Sequence, residues 1–253
     1  MRSKIPYALI LPYAIWLAIL PVTTPIPAAA ITSNELKARV ETATKELVDI
    51  SLVGSVVQSN KDVISKIEPN YARLYEFKSA KVSLKLPDKL RMEGKLGMVK
   101  FEYIVNGGTK IFRASPVRIN KKEDYSHDPA KLQSPLDIGL VTPTLWEKRS
   151  VEVVDDAEAK KNGEIKLRLR WPKGDMVHYI WIDEQNLWLK RLEKRDGDGN
   201  LKVRMVYSNP KNICGMVWLP TRSELYASEG DLAGAIEMSD IKYNSGLPDS
   251  LFQ

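Results

Sequence analysis

The chain has 253 residues, 43% hydrophobic and 28% charged, the balance of an ordinary globular protein with enough length for one large domain or two small ones. Its single cysteine, Cys214, excludes an intramolecular disulfide, so the fold must be held by its core. A net charge of +6 suits acidic surfaces or acidic partners, but the sequence lacks the basic-aromatic array that nucleic-acid binding uses.

Residues 1–30 read as a secretory signal peptide. Arg2 and Lys4 precede an apolar run from Tyr7 to Val22, and Ala28-Ala29-Ala30 stand ahead of the polar "ITSNELK". The run is broken by Pro12 and Pro21 and is shorter than the ~20 residues of a comfortable membrane span, which disfavours an uncleaved anchor. No cysteine lies near the cleavage site to carry acyl chains, so the expectation is a soluble exported protein whose mature domain covers 31–253.

The mature part opens with a helix predicted over 32–49. Thr32 and Glu35 fit a capping box, and Leu36, Val40, Ala43, Leu47 and Val48 share one face. From about Gly54 the period becomes two. Strands are predicted in "ARLYEF", "AKVSLKLP", "LRMEGKLGMVKFEYIVNG" and "TKIFRAS", with a hairpin signal at Asn106-Gly107. Residues 115–144 form a long excursion rich in proline, with a short helix near Leu132 to Leu140. Beyond it come "EIKLRLRWP", "MVHYIWID", "LWLKRLEKRD", "NLKVRMVYSN", "GMVWLPTRSELYAS" and "AIEMSDIKYN", each alternating apolar and polar residues. The fold class implied is α+β, mostly β: a single curved antiparallel sheet of about ten strands, with helices on its concave side.

Catalytic readings find little support. "DGDGN" at 196–200 places glycines at the second and fourth positions, unlike a calcium loop, and reads as a hairpin turn. His127 and His178 lack a patterned partner for a metal site or a triad, and Cys214 reads as a structural thiol. The expectation is a protein that is not an enzyme and has no cofactor and no metal site. What remains is an apolar inventory on alternating strands. A concave face this wide needs more than one short helix to fill it, so strand parity nominates Phe101, Tyr103, Leu167, Leu169, Trp171, Tyr179, Trp181, Trp188, Met205 and Trp218 as lining a ligand cavity.

The pieces "ELKARVETATKELVD", "LKLPDKLRME", "YIVNGGTKIFRA", "YSNPKNICGMVWLPTRSELY" and "DIKYNSGLPDSLF" together resemble the LolA/LolB-like outer-membrane lipoprotein-sorting proteins, with the RseB sensor domain as a relative. The resemblance spans most of 31–253 and implies an incomplete barrel closed by helices that hold acyl chains. It further implies a periplasmic carrier or chaperone whose partners are an acylated protein or lipid, an inner-membrane transporter and an outer-membrane acceptor, with no nucleic acid. The alternatives are an RseB-like envelope sensor of a membrane partner and a filled structural barrel without ligand. The tail is expected to fold Leu251 and Phe252 back as a plug on the barrel's edge. One departure is plain: LolA carries an arginine immediately before the proline of the second strand turn, whereas Leu86 precedes Pro87 here, so an arginine-latched lid does not carry over.

Overall fold

The computed structural model describes residues 31–67, 75 and 77–253; the predicted signal peptide and most of the strand predicted over 72–77 lie outside the described residues. Residues 31–253 form one compact unit. Its framework is a single 13-stranded sheet, with strands in the order β6-β5-β4-β3-β2-β1-β13-β12-β11-β10-β9-β8-β7. In chain order these are β1 (Asp49–Ser59), β2 (Ser79–Lys85), β3 (Lys89–Leu96), β4 (Val99–Asn106), β5 (Thr109–Ser115) and β6 (Ile119–Asp124). The second run is β7 (Ser150–Val154), β8 (Glu164–Arg170), β9 (Val177–Asp183), β10 (Leu189–Arg195), β11 (Leu201–Cys214), β12 (Val217–Ala227) and β13 (Leu232–Tyr243). Among the described residues four α-helices accompany them: α1 (Ser33–Thr44), α2 (Lys61–Ile67), α3 (Thr144–Glu147) and α4 (Ala157–Lys161).

Every neighbouring pair is antiparallel and follows in sequence, except that β13 returns to pair with β1. The two free edges, β6 and β7, are therefore successive strands, and the proline-rich excursion is the segment that joins them. Instead of bridging the gap directly, it lies on the inner face. Leu132, Ile138 and Leu140 pack among Leu52, Leu84 and Leu219, while Leu136, Val141 and Leu145 join the cluster around Leu167 and Ile180. Register shifts in β1, β10 and β11 add local bends that help the sheet curve around this filling. The short helix expected near Leu132 to Leu140 is a 3-10 turn at Pro135–Ile138, closed by Gly139 at φ 84°.

Helix α1 has the predicted capping box, with Thr32 and Glu35 bonding reciprocally, and buries Leu36 and Val40 against β8 to β10. It stops at Thr44, short of the predicted Asp49. The chain there turns into β1, because Ile50 and Leu52 pair opposite Leu84 and Val82 and gain a place in the core. Three strands exceed the expectation. Besides β1, these are the edge strands β6, whose residues are all exposed and mostly charged, and the short β7. Lysines and acids on β6 discourage pairing with another chain.

The tail corrects another expectation. Phe252 is fully buried, but against Ile104 and Ile111 on the outer face of β4 and β5, with Leu247 and Leu251 beside it, so the tail covers a sheet face and not an edge. The reason is parity: Ile104 and Ile111 are apolar residues on the outer side, and the tail shields them from water. The tail is pinned at several points. Asp49 accepts from the backbone of Ser245, Gly246 and Leu247, Lys85 and Lys89 pair with Asp249, and Arg91 donates to the carbonyl of Leu251.

Candidate ligand cavity

The inner face encloses an apolar cavity of about 210 Å³. Its wall draws on seven strands, β1 to β4 and β11 to β13, which shows how far the sheet wraps around. The roof is the Gln133 to Ile138 part of the excursion together with Tyr75 and Phe77. Two features of the sequence make this space. Small residues occupy inward positions at Gly54 and Ala80, leaving volume where a branched side chain would fill it. Flexible thioethers, those of Met92, Met205 and Met238, line much of the remainder, and such side chains can re-pack around different shapes.

Aromatic rings close one end. Phe77 stacks on Phe101 with ring centroids 3.8 Å apart. Phe101 in turn lies over Gly94, where a Cβ would come within 2.6 Å of the ring. Tyr75 lies likewise on Gly234, with a would-be Cβ 2.3 Å from its ring. Both glycines serve close approach of a ring to a strand.

Some buried polar atoms on the inner face lack partners, and of these only Gln133 lines the cavity itself. The Tyr103 hydroxyl, Gln133 Oε1 and Arg149 Nε are buried without a hydrogen-bond partner among the described residues. Burial raises the Tyr103 phenol well above its ordinary value. Arg149 stacks on Trp171 at 4.2 Å; burial lowers its pKa, with the charge of Asp137 acting in the opposite sense. His178, facing inward opposite Leu169, is pushed down to about 3, first by burial and then by Lys194 and Arg149.

The residues nominated from parity fall into separate groups. Phe101 and Met205 line the cavity, and Tyr103 packs beside it on the inner face. Leu167 and Leu169 face inward but are sealed beneath α1 in the solid half of the core. Trp171 caps Arg149 at a small adjoining cleft of about 30 Å³. Trp188 leans on the α1 side of the core, and Trp218 is half-buried near Val40 and Leu187. Tyr179 and Trp181 turn the other way. In β9 it is Ile180 and Ile182 that fill the core, which places Tyr179 and Trp181 on the outer face opposite Arg168 and Lys166. Cations there cover the indole, Arg191 at 3.7 Å and Lys166 at 5.0 Å.

That outer face carries a larger groove of about 930 Å³. Its charges are largely spent on one another: Lys166 with Asp156, Lys190 with Glu164, and Arg195 and Arg204 with the buried Glu193. Burial raises the Glu193 carboxyl, but its bonds to Arg195 and Arg204 outweigh that and hold it low. An acyl chain would gain little there. The "DGDGN" segment bends as a hairpin turn, with Asp196 Oδ1 accepting from the backbone of Asp198 and Asn200.

No protein-family model matches the sequence, and no curated protein matches it. Solved structures do match in three dimensions. An outer membrane lipoprotein-sorting protein domain from Vibrio parahaemolyticus superposes with a TM-score of 0.63 at 13% identity, covering 87% of this chain and 95% of that one. A LolA superfamily protein from Nitrosomonas europaea gives a TM-score of 0.58 at 14% identity, covering 88% and 98%. The chain shares its fold with these two solved structures, the second of them a LolA superfamily protein.

Within this LolA-like fold, the position before Pro87 holds Leu86, which packs against the core around Leu84 and Leu90. The nearby Arg91 points outward, bonding Glu93, Glu102 and the tail. Neither supplies a cation to the cavity. Sequence reasoning missed Tyr75, Phe77 and Gln133 as cavity residues. The sign available in the sequence was the set of small residues, Gly54, Ala80, Gly94 and Gly234, recurring on strands at inward positions.

Proposed function

We propose that this protein is a carrier or chaperone that holds acyl chains of lipoproteins or lipids between the sheet and the segment covering its inner face. We read residues 1–30 as the export signal and the site of action as the periplasm, between an inner-membrane donor and an outer-membrane acceptor. The observation that carries this reading is the methionine-lined cavity roofed by Phe77. Binding of this kind uses no catalytic group.

Size sharpens the reading. At about 30 Å³ per water-sized group, roughly seven such groups fit in 210 Å³. A chain of about 14 methylenes, worth on the order of 11 kcal/mol when fully buried at ~0.8 kcal/mol each, therefore needs the roof to shift. Phe77, half-buried and on a short approach to β2, is placed to swing, and the methionines are suited to re-pack. A resting cavity too small for the whole cargo favours release to an acceptor over permanent storage.

Native mass spectrometry of the protein purified from a membrane-containing host, followed by lipid extraction, tests this directly. A bound lipid or acylated peptide near one per chain is expected. Clean protein that also fails to take up an apolar fluorescent probe would refute the carrier reading and leave a filled barrel.

A further inference from the structure

The end of the sheet at which Phe77 meets Phe101 is also where two neighbouring hairpins project. The β3–β4 turn carries Leu96 and Met98, and the β5–β6 turn carries Val117 and Ile119. Their tips lie side by side, because Lys100 at the start of β4 pairs with Ser115 at the end of β5. All four apolar side chains are exposed, Met98 by 91%. Exposed apolar residues scattered singly need no explanation, but four on adjacent tips of one rim form a patch.

The two turn segments carry charge of one sign, with acids beginning at Glu93 on one side and Glu123 on the other. The segments 95–100 and 116–122 contain Lys95, Lys100, Arg118, Lys121 and Lys122 and no acidic residue. None of the five forms an ion pair among the described residues, whereas Lys110 further along β5 is paired with Glu123. Apolar tips in a basic collar match the two layers of a lipid surface: side chains that enter the acyl boundary and cations that meet anionic headgroups. An acidic protein could use the cations but would gain less from a fully exposed methionine at a turn.

We propose that this rim docks the protein on anionic bilayers. Leu96, Met98, Val117 and Ile119 enter the interface, and the five cations select acidic lipid. Phe101 lies two residues from Val99 along β4, so docking sets the aromatic end of the cavity next to the membrane. The surface stands on its own evidence, whatever the cavity carries.

Vesicle flotation with residues 31–253, the compact unit that holds every core cluster, tests it. Phosphatidylcholine vesicles are compared with vesicles containing about a third phosphatidylglycerol, at low and at physiological salt. Binding should be at least tenfold tighter to the anionic vesicles and weaken with salt. The pair M98D/V117D should abolish flotation, and each of K95Q and K121Q should lower affinity about fivefold. Thermal melts and apolar-probe uptake, unchanged in the variants, separate docking from folding and from the cavity. Probe uptake without flotation overturns the docking surface and leaves the carrier reading in place, while flotation without uptake does the reverse. Flotation that persists undiminished in M98D/V117D also overturns the proposal, and so does wild-type binding equal on neutral and anionic vesicles.

Discussion

Phe77 lies on Phe101 with a centroid separation of 3.8 Å and an interplanar angle of 29°, joining the segment before β2 to the wall of the cavity. The stack is worth about 0.5–1.5 kcal/mol beyond simple burial. It holds the roof against the wall.

Phe77→Ala should therefore loosen the roof at small cost, on the order of 1–2 kcal/mol, because Phe77 is only half-buried. Association and dissociation of an apolar fluorescent probe should both speed up, by several-fold, in stopped-flow measurements. Phe101→Ala removes a buried ring, 5% exposed, and should cost more, about 3–5 kcal/mol by chemical denaturation. Equal effects of the two substitutions on stability, with unaltered probe kinetics, would remove Phe77 from the roof.

Asp49 sets a second test. Its carboxylate, at the start of β1, accepts from the Ser245 amide and hydroxyl and from the amides of Gly246 and Leu247. Burial pushes its pKa up, but these bonds together outweigh burial and leave it below the ordinary value. With a depressed folded-state pKa, its stabilisation is complete above the unfolded value near 4 and is lost as pH falls through the folded value. Asp49→Ala should cost about 2–3 kcal/mol at neutral pH and release the tail that covers Ile104 and Ile111. Limited proteolysis should then clip the C-terminus first. As pH falls below the unfolded value near 4, the gap between wild type and variant should narrow.

Much of this architecture is legible in the sequence, and the failures have physical causes. Strands with one dry face, such as β8 with Ile165, Leu167 and Leu169, announce themselves by alternation. β1 hides because its inner face includes Gly54 and its outer face Ser51 and Ser55, so contrast between the two sides is weak. β6 has no dry face at all. Tyr179 and Trp181 show the opposite trap, since both faces of β9 are apolar and aromatic size alone suggests the core. The cations stacked on Trp181 let it face outward. Phe77 and Gln133 lie outside the described strands and helices; Gln133 sits in the proline-rich excursion, where no periodicity marks a residue as inward-facing.

Three inward glycines, Gly54 in the cavity wall and Gly94 and Gly234 beneath the rings that bound it, should respond differently to a methyl group. At Gly54 a Cβ would sit 3.5 Å from Ile236, an ordinary contact, so Gly54→Ala should be tolerated and gain about 0.4–1 kcal/mol from a stiffer unfolded chain. The added methyl projects toward the cavity, and probe capacity should fall. At Gly94 and Gly234 the new atom would meet Phe101 at 2.6 Å and Tyr75 at 2.3 Å, so Gly94→Ala and Gly234→Ala should each cost about 1–3 kcal/mol. Melting temperatures of the three variants, with probe titrations, check this. Equal stability across the set would mean that the rings move aside freely.

His178 makes stability depend on pH from the inside. The imidazole faces inward between Leu169 and Lys194, and burial, with Lys194 and Arg149 adding to it, brings its pKa to about 3. The unfolded chain takes up a proton near pH 6.5 while the native chain does not, so stability rises with pH between about 3 and 6.5. The contribution is complete above about pH 6.5 and is lost as the medium acidifies, by at most ~1.4 kcal/mol per pH unit. His178→Leu should flatten the upper part of that window, from about pH 6.5 to 5, where carboxylates such as Asp49 do not yet titrate. Denaturant midpoints measured at pH 5, 6 and 7 for both proteins decide it. A wild-type midpoint that does not move between pH 7 and 5 would show that His178 titrates in the folded chain as it does in water.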